Sequence, residues 1–523
     1  MYQKLSILFF IFTLSSFHIY SQTTVEQGTT YPLSNDINII FFSGLSDNNA
    51  VLFSQTLDAY KLELIDTKKL SISKSLIVPT KIKAGGYSYQ VFYANSFIIN
   101  DSLYVFYKLF DRSKKGNALW YNVYDCKTLS MVQDYTEVAF YEFDTREKML
   151  AGEYEVYINP EKTFFLVSQP IPRHPYEREK LKFFALDKNF NKLWEKEIDF
   201  KFIDKNYSIK QVTIDNRANA FILLFNNTNK SYLLFAITNN GENLKNINIS
   251  AIIDPNCLSP KLYSVAQNTF LISFVGNIEN ENIDKLSFYV FDNQLDTFKK
   301  FTHIPLTKDF LNVEIDNNKK EPLNKRTKSL DELAFNIDTI ILLNNNYWII
   351  GEKRFIYQEE FTLNDPQTGT QRTNIIDNYN AHSIYIIQLD NNGQLIWSKK
   401  IHKNQYTTNK NLALLLGYSF NILDNKLYFI FNDNISNNNE SDITLPASFA
   451  GEQACISLAV VDKTGNINRT SILTYKDLNG AFIPRFSLVQ SNNNLFLAVA
   501  SLRKSVNQFT NIKEFYFTNY KIQ

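Results

Sequence analysis

Residues 383–401 read SIYIIQLDNNGQLIWSKKI. A short apolar strand runs into a turn at Asp390-Asn391-Asn392-Gly393, and a second strand leaves it through Trp397. Residues 182–198, KFFALDKNFNKLWEKEI, repeat the arrangement with Asp187 at the turn and Trp194 beyond it. Working outward, the same unit recurs seven times, with Asp66, Asp125, Asp187, Thr238, Asp292, Asp390 and Asp462 as turn residues. The residue before the turn is apolar in every copy: Ile65, Tyr124, Leu186, Ile237, Phe291, Leu389 and Val461. So is the residue three places further back: Leu62, Tyr121, Phe183, Leu234, Phe288, Ile386 and Leu458. Two apolar columns across seven copies mark one strand in one environment.

Three residues after the turn residue stand Gly241, Gly393 and Gly465, where a tight hairpin needs positive φ. The other copies carry Lys69, Thr128, Phe190 and Leu295 there, so the turn varies. Two further strands precede each unit, as at 337–343 with 347–351 and at 419–423 with 426–431. Each repeat is therefore a four-stranded meander, strands a to d, with the Asp turn between c and d. Turn spacings of 59, 62, 51 and 54 fit one such unit, and spacings of 98 and 72 contain insertions. An array of this period is all-β, a β-propeller of four-stranded antiparallel blades. An eighth set, 485–490, 495–501 and 513–522, lacks its last strand. The segment 23–33 is expected to supply it and to close a single domain, 22–523, of eight blades; seven blades is the alternative.

The Asp-x-x-Gly-x-x-x-Trp copy at Asp390, Gly393 and Trp397 resembles the repeats of secreted bacterial β-propellers. More loosely, it resembles the tryptophan-docking repeat of quinoprotein propellers. In that family the Trp packs between neighbouring blades, so the resemblance implies a structural role for Trp194 and Trp397. The turn residues Asp187, Asp390, Gly393, Asp462 and Gly465 are likewise read as structural. Arg469, Lys245 and Lys299 stand at the Trp position in other copies. The motif implies fold and blade docking, and carries no catalytic residue.

The bulk composition excludes some classes. Fifty-four basic against 53 acidic residues leave a net charge of +1, without the surplus of a nucleic-acid binder. The N-terminus reads as a secretory signal over 1–21, with Lys4, an apolar run of 13 residues at 5–17 and Ser21 at the cleavage point. That predicts a secreted or periplasmic protein, and no later run is long enough for a transmembrane helix. Cys126, Cys257 and Cys455 fall in separate repeats and form no disulfide framework.

No catalytic signature stands out. The box of sialidase-type propellers has a different spacing, and the vicinal cysteines of quinone enzymes are missing. His174, His303, His382 and His402 lie in different repeats, so neither a metal nor a cofactor is expected. The long insertions at 304–334, 354–382 and 433–454 belong to d–a or b–c connections, on one face of the disc, with shorter loops at 111–117 and 169–180. Long loops on a rigid scaffold carry binding. Arg173, His174, Tyr176 and Arg178 are the candidate contacts, because two guanidinium groups clamp an anion and Tyr176 stacks on a ring. Glu142, Asp144, Arg146 and Glu147 form a second polar group without the spacing of a calcium loop. The expected function is a non-catalytic binding or scaffold module for a protein or glycan. The alternative is a hydrolase or lyase at the channel mouth, which converging carboxylates or histidines there would favour.

Overall fold

Strand pairing divides the chain into eight antiparallel sheets, the blades of a β-propeller. The computed structural model describes residues 27–32, 38–45, 49–56, 58–84, 86–142, 152–175, 177, 179–200, 206–277, 282–311, 335–364, 371–438, 446–489, 494–505 and 508–521. The expected signal at 1–21 lies outside them. Blade 1 is Asn38–Gly44, Asn49–Gln55, Ala59–Asp66 and Ser71–Pro79. Blade 2 is Tyr87–Ile99, Ser102–Asp111, Gly116–Asp125 and Met131–Glu142, with Lys81–Ala84 added to its first strand. Blade 3 is Glu155–Ile158, Phe164–Pro170, Lys180–Asp187 and Lys192–Asp199; blade 4 is Tyr207–Ile214, Ala220–Asn226, Tyr232–Thr238 and Asn243–Asn248. Blade 5 is Cys257–Val265, Asn268–Asn277, Asn282–Asp292 and Thr297–Pro305; blade 6 is Asn336–Leu343, Asn346–Asn364, Gln371–Leu389 and Leu395–Ile401. Blade 7 is Tyr418–Leu423, Lys426–Asn434, Ala454–Val461 and Ile467–Thr474.

In blade 8 the inner strand is split into Gly480–Phe482 and Leu488–Val489 around a 3-10 turn at Pro484–Phe486, and both pieces pair with Asn494–Ser505. The reading of 485–490 as one strand therefore gives way to a broken one. Pro484, which has no N–H for a ladder, sits at the break. The third strand is Gln508–Lys521. Its outer neighbour is Thr30–Pro32, in the register Thr30↔Tyr516, Tyr31↔Phe515 and Pro32↔Glu514. Tyr31 is buried and stacks on Phe515, with centroids 5.0 Å apart.

The b and c strands are covered on both faces, which is why segments such as AFILLFN are continuously apolar. The outer d strands face solvent on one side and alternate, as in KLWEKEID. Several a–b turns place two residues at positive φ: Asn100 and Asp101, Asn344 and Asn345, Asp424 and Asn425. That is the type I′ hairpin conformation that favours Asn and Asp, and it accounts for part of the asparagine abundance.

At the c–d turns the Asp carboxylate accepts bonds from backbone N–H groups two to four residues on. Asp390 Oδ1 takes Asn392 N at 2.9 Å and Gln394 N at 2.7 Å, and Asp187 Oδ1 takes Asn189 N and Asn191 N. The turn glycines have a second reason. A Cβ on Gly241 would stand 2.7 Å from Trp194 Cβ, and one on Gly465 would stand 2.8 Å from the Trp397 ring. Each glycine is thus a socket for an aromatic from the preceding blade. Gly393 receives Phe301, not Lys299: Phe301 is the extra residue at a register break between the pairs Tyr289↔Lys300 and Phe288↔Thr302, while Lys299 bonds Asp292 of its own turn. In blades 1 to 3 the contact runs the other way. Leu70, Leu129 and Phe190, at φ 55°, 52° and 64°, insert from the turn toward the preceding blade. Phe190 lies 3.9 Å from Tyr121, ring on ring.

The three cysteines are free thiols, with Cys126 and Cys455 buried. Among the described residues no helix is long and apolar enough to cross a membrane.

Candidate functional site

The inner strands form a belt around the channel. Asn95 Nδ2 donates to Val156 O, Gln211 Nε2 to Leu262 O, and Tyr263 Oη to Ile337 O, each linking one blade to the next. Five of these strands break register with their b neighbour, between Ile39 and Phe41, Tyr93 and Asn95, Ile209 and Gln211, Leu258 and Lys261, and Ile337 and Thr339. A bulge re-aims the side chain at the break. In blade 6 that residue is Asp338, near the long-loop end.

Asp338 Oδ1 accepts a bond from Arg354 Nη2 at 3.0 Å, and its Oδ2 accepts one from Tyr418 Oη at 2.8 Å. The other Arg354 nitrogen, Nη1, lies 3.6 Å from Glu352 Oε2. Glu352 Oε1 pairs with Lys403 Nζ at 2.7 Å, and both side chains are wholly buried. Lys403 also donates to Gln405 Oε1 at 2.9 Å and to Ala381 O at 3.2 Å, which uses its three protons. Gln405 in turn bonds Gly417 and Asn432 O in blade 7. The network therefore seals the blade 6–7 seam on the long-loop face.

Burial raises the Glu352 carboxyl and lowers the Lys403 ammonium, and their mutual attraction opposes each shift. Desolvation raises the Asp338 carboxyl too, against the pull of Arg354. The neighbouring His382 is held neutral. Burial first, then the charges of Lys403 and Lys353, bring it down to about 3.

This network is the root of an arm. The expected loop at 354–382 is instead the continuation of strands b and c, paired without a break from Arg354↔Ala381 to Asn364↔Gln371. Lys353 sits in the bulge between Glu352 and Arg354, and donates to Leu311 O at the end of the short helix Lys308–Leu311. On the other side Gln405–Thr407 pairs with Tyr379, Asn380 and Ala381, and Tyr406 Oη donates to Asn378 Oδ1 at 2.6 Å. The start of one insertion and the segment after blade 6 thus clamp the base of the arm. The sequence carries a signal for this root: Glu352 and Lys353 directly follow the apolar run YWIIG.

The residues singled out from sequence fall elsewhere. Arg173 Nη1 donates to Glu177 O at 3.1 Å, and His174 N to Glu177 Oε2 at 2.8 Å, so these residues bond within their own loop. Tyr176 and Arg178 lie outside the described residues, as do Asp144, Arg146 and Glu147. Trp194 is buried, with Nε1 donating to Ala218 O at 2.9 Å. Trp397 donates to Lys463 O at 3.3 Å and meets Trp348 edge to face at 5.2 Å. Arg469, at the Trp position of blade 7, bonds His402 O and the buried Asp433 carboxylate and lies over the Phe431 ring.

No protein-family model matches the chain. No curated protein matches it in sequence. Among solved structures it is similar to the Dos1 propeller at 10% identity and a TM-score of 0.40, over 95% of each chain. It is similar to the WD40 domain of SCAP from fission yeast at 8% identity and a TM-score of 0.37, again over 95% of each chain. It also resembles an acylaminoacyl peptidase of Pyrococcus horikoshii at 10% identity and a TM-score of 0.35, over 91% of this chain and 59% of that one.

Proposed function

We propose that the protein is a secreted or periplasmic binding or scaffold module, which engages a protein or glycan partner through the blade 6 arm and the face from which it rises. The observation that carries this reading is the arm itself: two strands of one blade prolonged past the sheet, on a base held by a buried ion pair. The carboxylates at the root of the arm favour binding over hydrolysis. Asp338 is engaged by Arg354 and Tyr418, and Glu352 by Lys403, which leaves neither poised as a general acid or base. The test is affinity capture from the source culture with three proteins: wild type, a variant with 355–380 replaced by a short turn, and one with the opposite-face turn at Asn344 and Asn345 replaced by two glycines. Wild type and the turn variant should retain one common partner that the shortened variant loses. Retention by the shortened variant would refute the assignment.

A further inference from the structure

The arm leaves one long sheet edge open. The inner strand of blade 6 pairs no further along the arm than Glu352, and the Asn336 side chain reaches Arg354 O at 2.7 Å, so beyond Arg354 the strand to 364 has a neighbour on one side only among the described residues. Its sequence, RFIYQEEFTLN, holds no proline or lysine, and its pairing with 371–381 contains no bulge. Proline, lysine and a bulge are among the devices that blunt exposed edges, and none of the three is found here; past Arg354 the only charges on the edge are acidic. An unguarded edge is a template for another strand.

The side chains beside the edge say what that strand carries. Ile356, Gln358 and Glu360 share a face with their cross-strand partners Tyr379, Asp377 and Ile375. Ile356 is 60% and Ile375 57% exposed, and Leu363 on the other face is 54% exposed. Among the described residues neither Glu359 nor Glu360 forms an ion pair, and the two lie on opposite faces of the arm, each on a face with an exposed apolar residue. A second copy of this edge is a poor occupant. Two-fold antiparallel pairing about its middle sets Glu359 against the same residue of the second copy, and like charges directly opposite are destabilising.

We infer that the arm edge at 354–364 takes up an extended, cationic segment of a protein partner by strand addition. Lysine or arginine side chains of that segment meet Glu359 and Glu360, and β-branched ones cover Ile356 and Leu363. This rests on the arm being the binding element and adds the class of its ligand. The probe is a fluorescent peptide of about ten residues, roughly the length of the edge, with two adjacent lysines at its centre, one for each face, and valines on either side; the counterpart with glutamates in place of the lysines is the control. Polarisation titrations with the full chain should show the lysine peptide binding at least about ten-fold more tightly, a difference of about 1.4 kcal/mol. The Glu359→Lys/Glu360→Lys variant should reverse that preference. Of Thr362→Pro and Leu363→Pro, tested separately, the one whose N–H points outward should abolish binding with an unchanged melting curve. Equal binding of the two peptides, or a preference that survives charge reversal, overturns the inference. A wild-type dimer in light scattering that either proline variant dissolves would also overturn it, by making a second copy the occupant. If shortening the arm loses the natural partner while charge reversal keeps it, the strand-addition claim fails and the arm remains the binding element.

Discussion

The seam between blades 6 and 7 is closed by opposite chemistry at its two ends. On the short-turn face Trp397 lies on Gly465, an aromatic in a socket. On the long-loop face the wholly buried Glu352–Lys403 pair of blade 6 anchors Gln405 and Asp338, whose hydrogen bonds to Asn432 O and from Tyr418 cross to blade 7. The first device recurs, with Trp194 on Gly241 and Phe301 on Gly393. The second does not. Among the described residues no other ion pair is wholly buried on both sides, and the b-strand residue paired six places before the turn residue is Glu352 here, but Gln55, Lys108, Pro170, Phe225, Phe274 and Asn432 in blades 1, 2, 3, 4, 5 and 7, with Lys108 paired to the exposed Glu153. A repeated contact keeps the disc together. A contact found in a single blade serves that blade's own feature, and blade 6 is the one with the arm.

The largest expected effect breaks the repeated device. Trp194→Ala should destabilise by about 3–5 kcal/mol in denaturant unfolding, the range for truncating a large buried aromatic. With the indole gone, Gly241→Ala should cost less than it does alone, since the ring carbons at 3.0 and 3.2 Å are removed and only the Cβ at position 194 and the left-handed φ of 81° still resist it. An additive cycle would show that Trp194 and Gly241 do not act as one contact.

Removing one member of the ion pair comes close behind. Lys403→Met leaves Glu352 buried without its partner, a loss of about 3–5 kcal/mol. Replacing both, Glu352→Met with Lys403→Met, should recover most of it. Amide exchange at 354–381 in that double variant tells whether the charges also hold the arm in place, and unchanged protection would limit the pair to the seam.

A pH series sharpens the same end. His382 folds in its neutral form, with its pKa depressed to about 3. In that window the unfolded chain binds the extra proton, so stability is full above the ordinary histidine range and falls as the pH drops toward 3. The slope contributed is about 1.4 kcal/mol per pH unit at most. His382→Gln should flatten urea-derived stability between about pH 6 and pH 4 relative to wild type. An unaltered slope would place the titration elsewhere.

The smallest effect concerns the turns. Gly393→Ala meets a φ of 83° and a Phe301 ring atom 2.7 Å from the new Cβ. About 1–2 kcal/mol is expected from the left-handed backbone alone. Phe190→Gly relieves a φ of 64° but removes the stack on Tyr121. It should destabilise despite the gain in backbone freedom, and a more stable variant would deny the plug reading of blades 1 to 3.

Much of the disc was legible because its information is local. An Asp that caps its own turn, two asparagines that accept positive φ, and apolar columns around them act within a few residues, and seven copies average out individual noise. The same locality explains the misalignment at Lys299. Spacing from the turn finds a position, but only packing shows that Phe301 fills the socket of the next blade. The arm was hidden for a different reason. Residues 354–364 and 371–381 are rich in polar side chains and, where described, lack the two-sided burial that marks the other b and c strands, so they read as loop. Their strand geometry comes from pairing with each other on a rigid base. The Glu352–Lys403 pair joins a strand of blade 6 to the segment after its last strand, 51 positions later in the chain. Sequence alone determined the repeat, the strand order within a blade and the turn chemistry, each governed by neighbouring residues. The tertiary structure decided which side chains meet across seams and which strands outgrow the disc, because buried charges and sheet edges take their meaning from distant chain brought within hydrogen-bond reach.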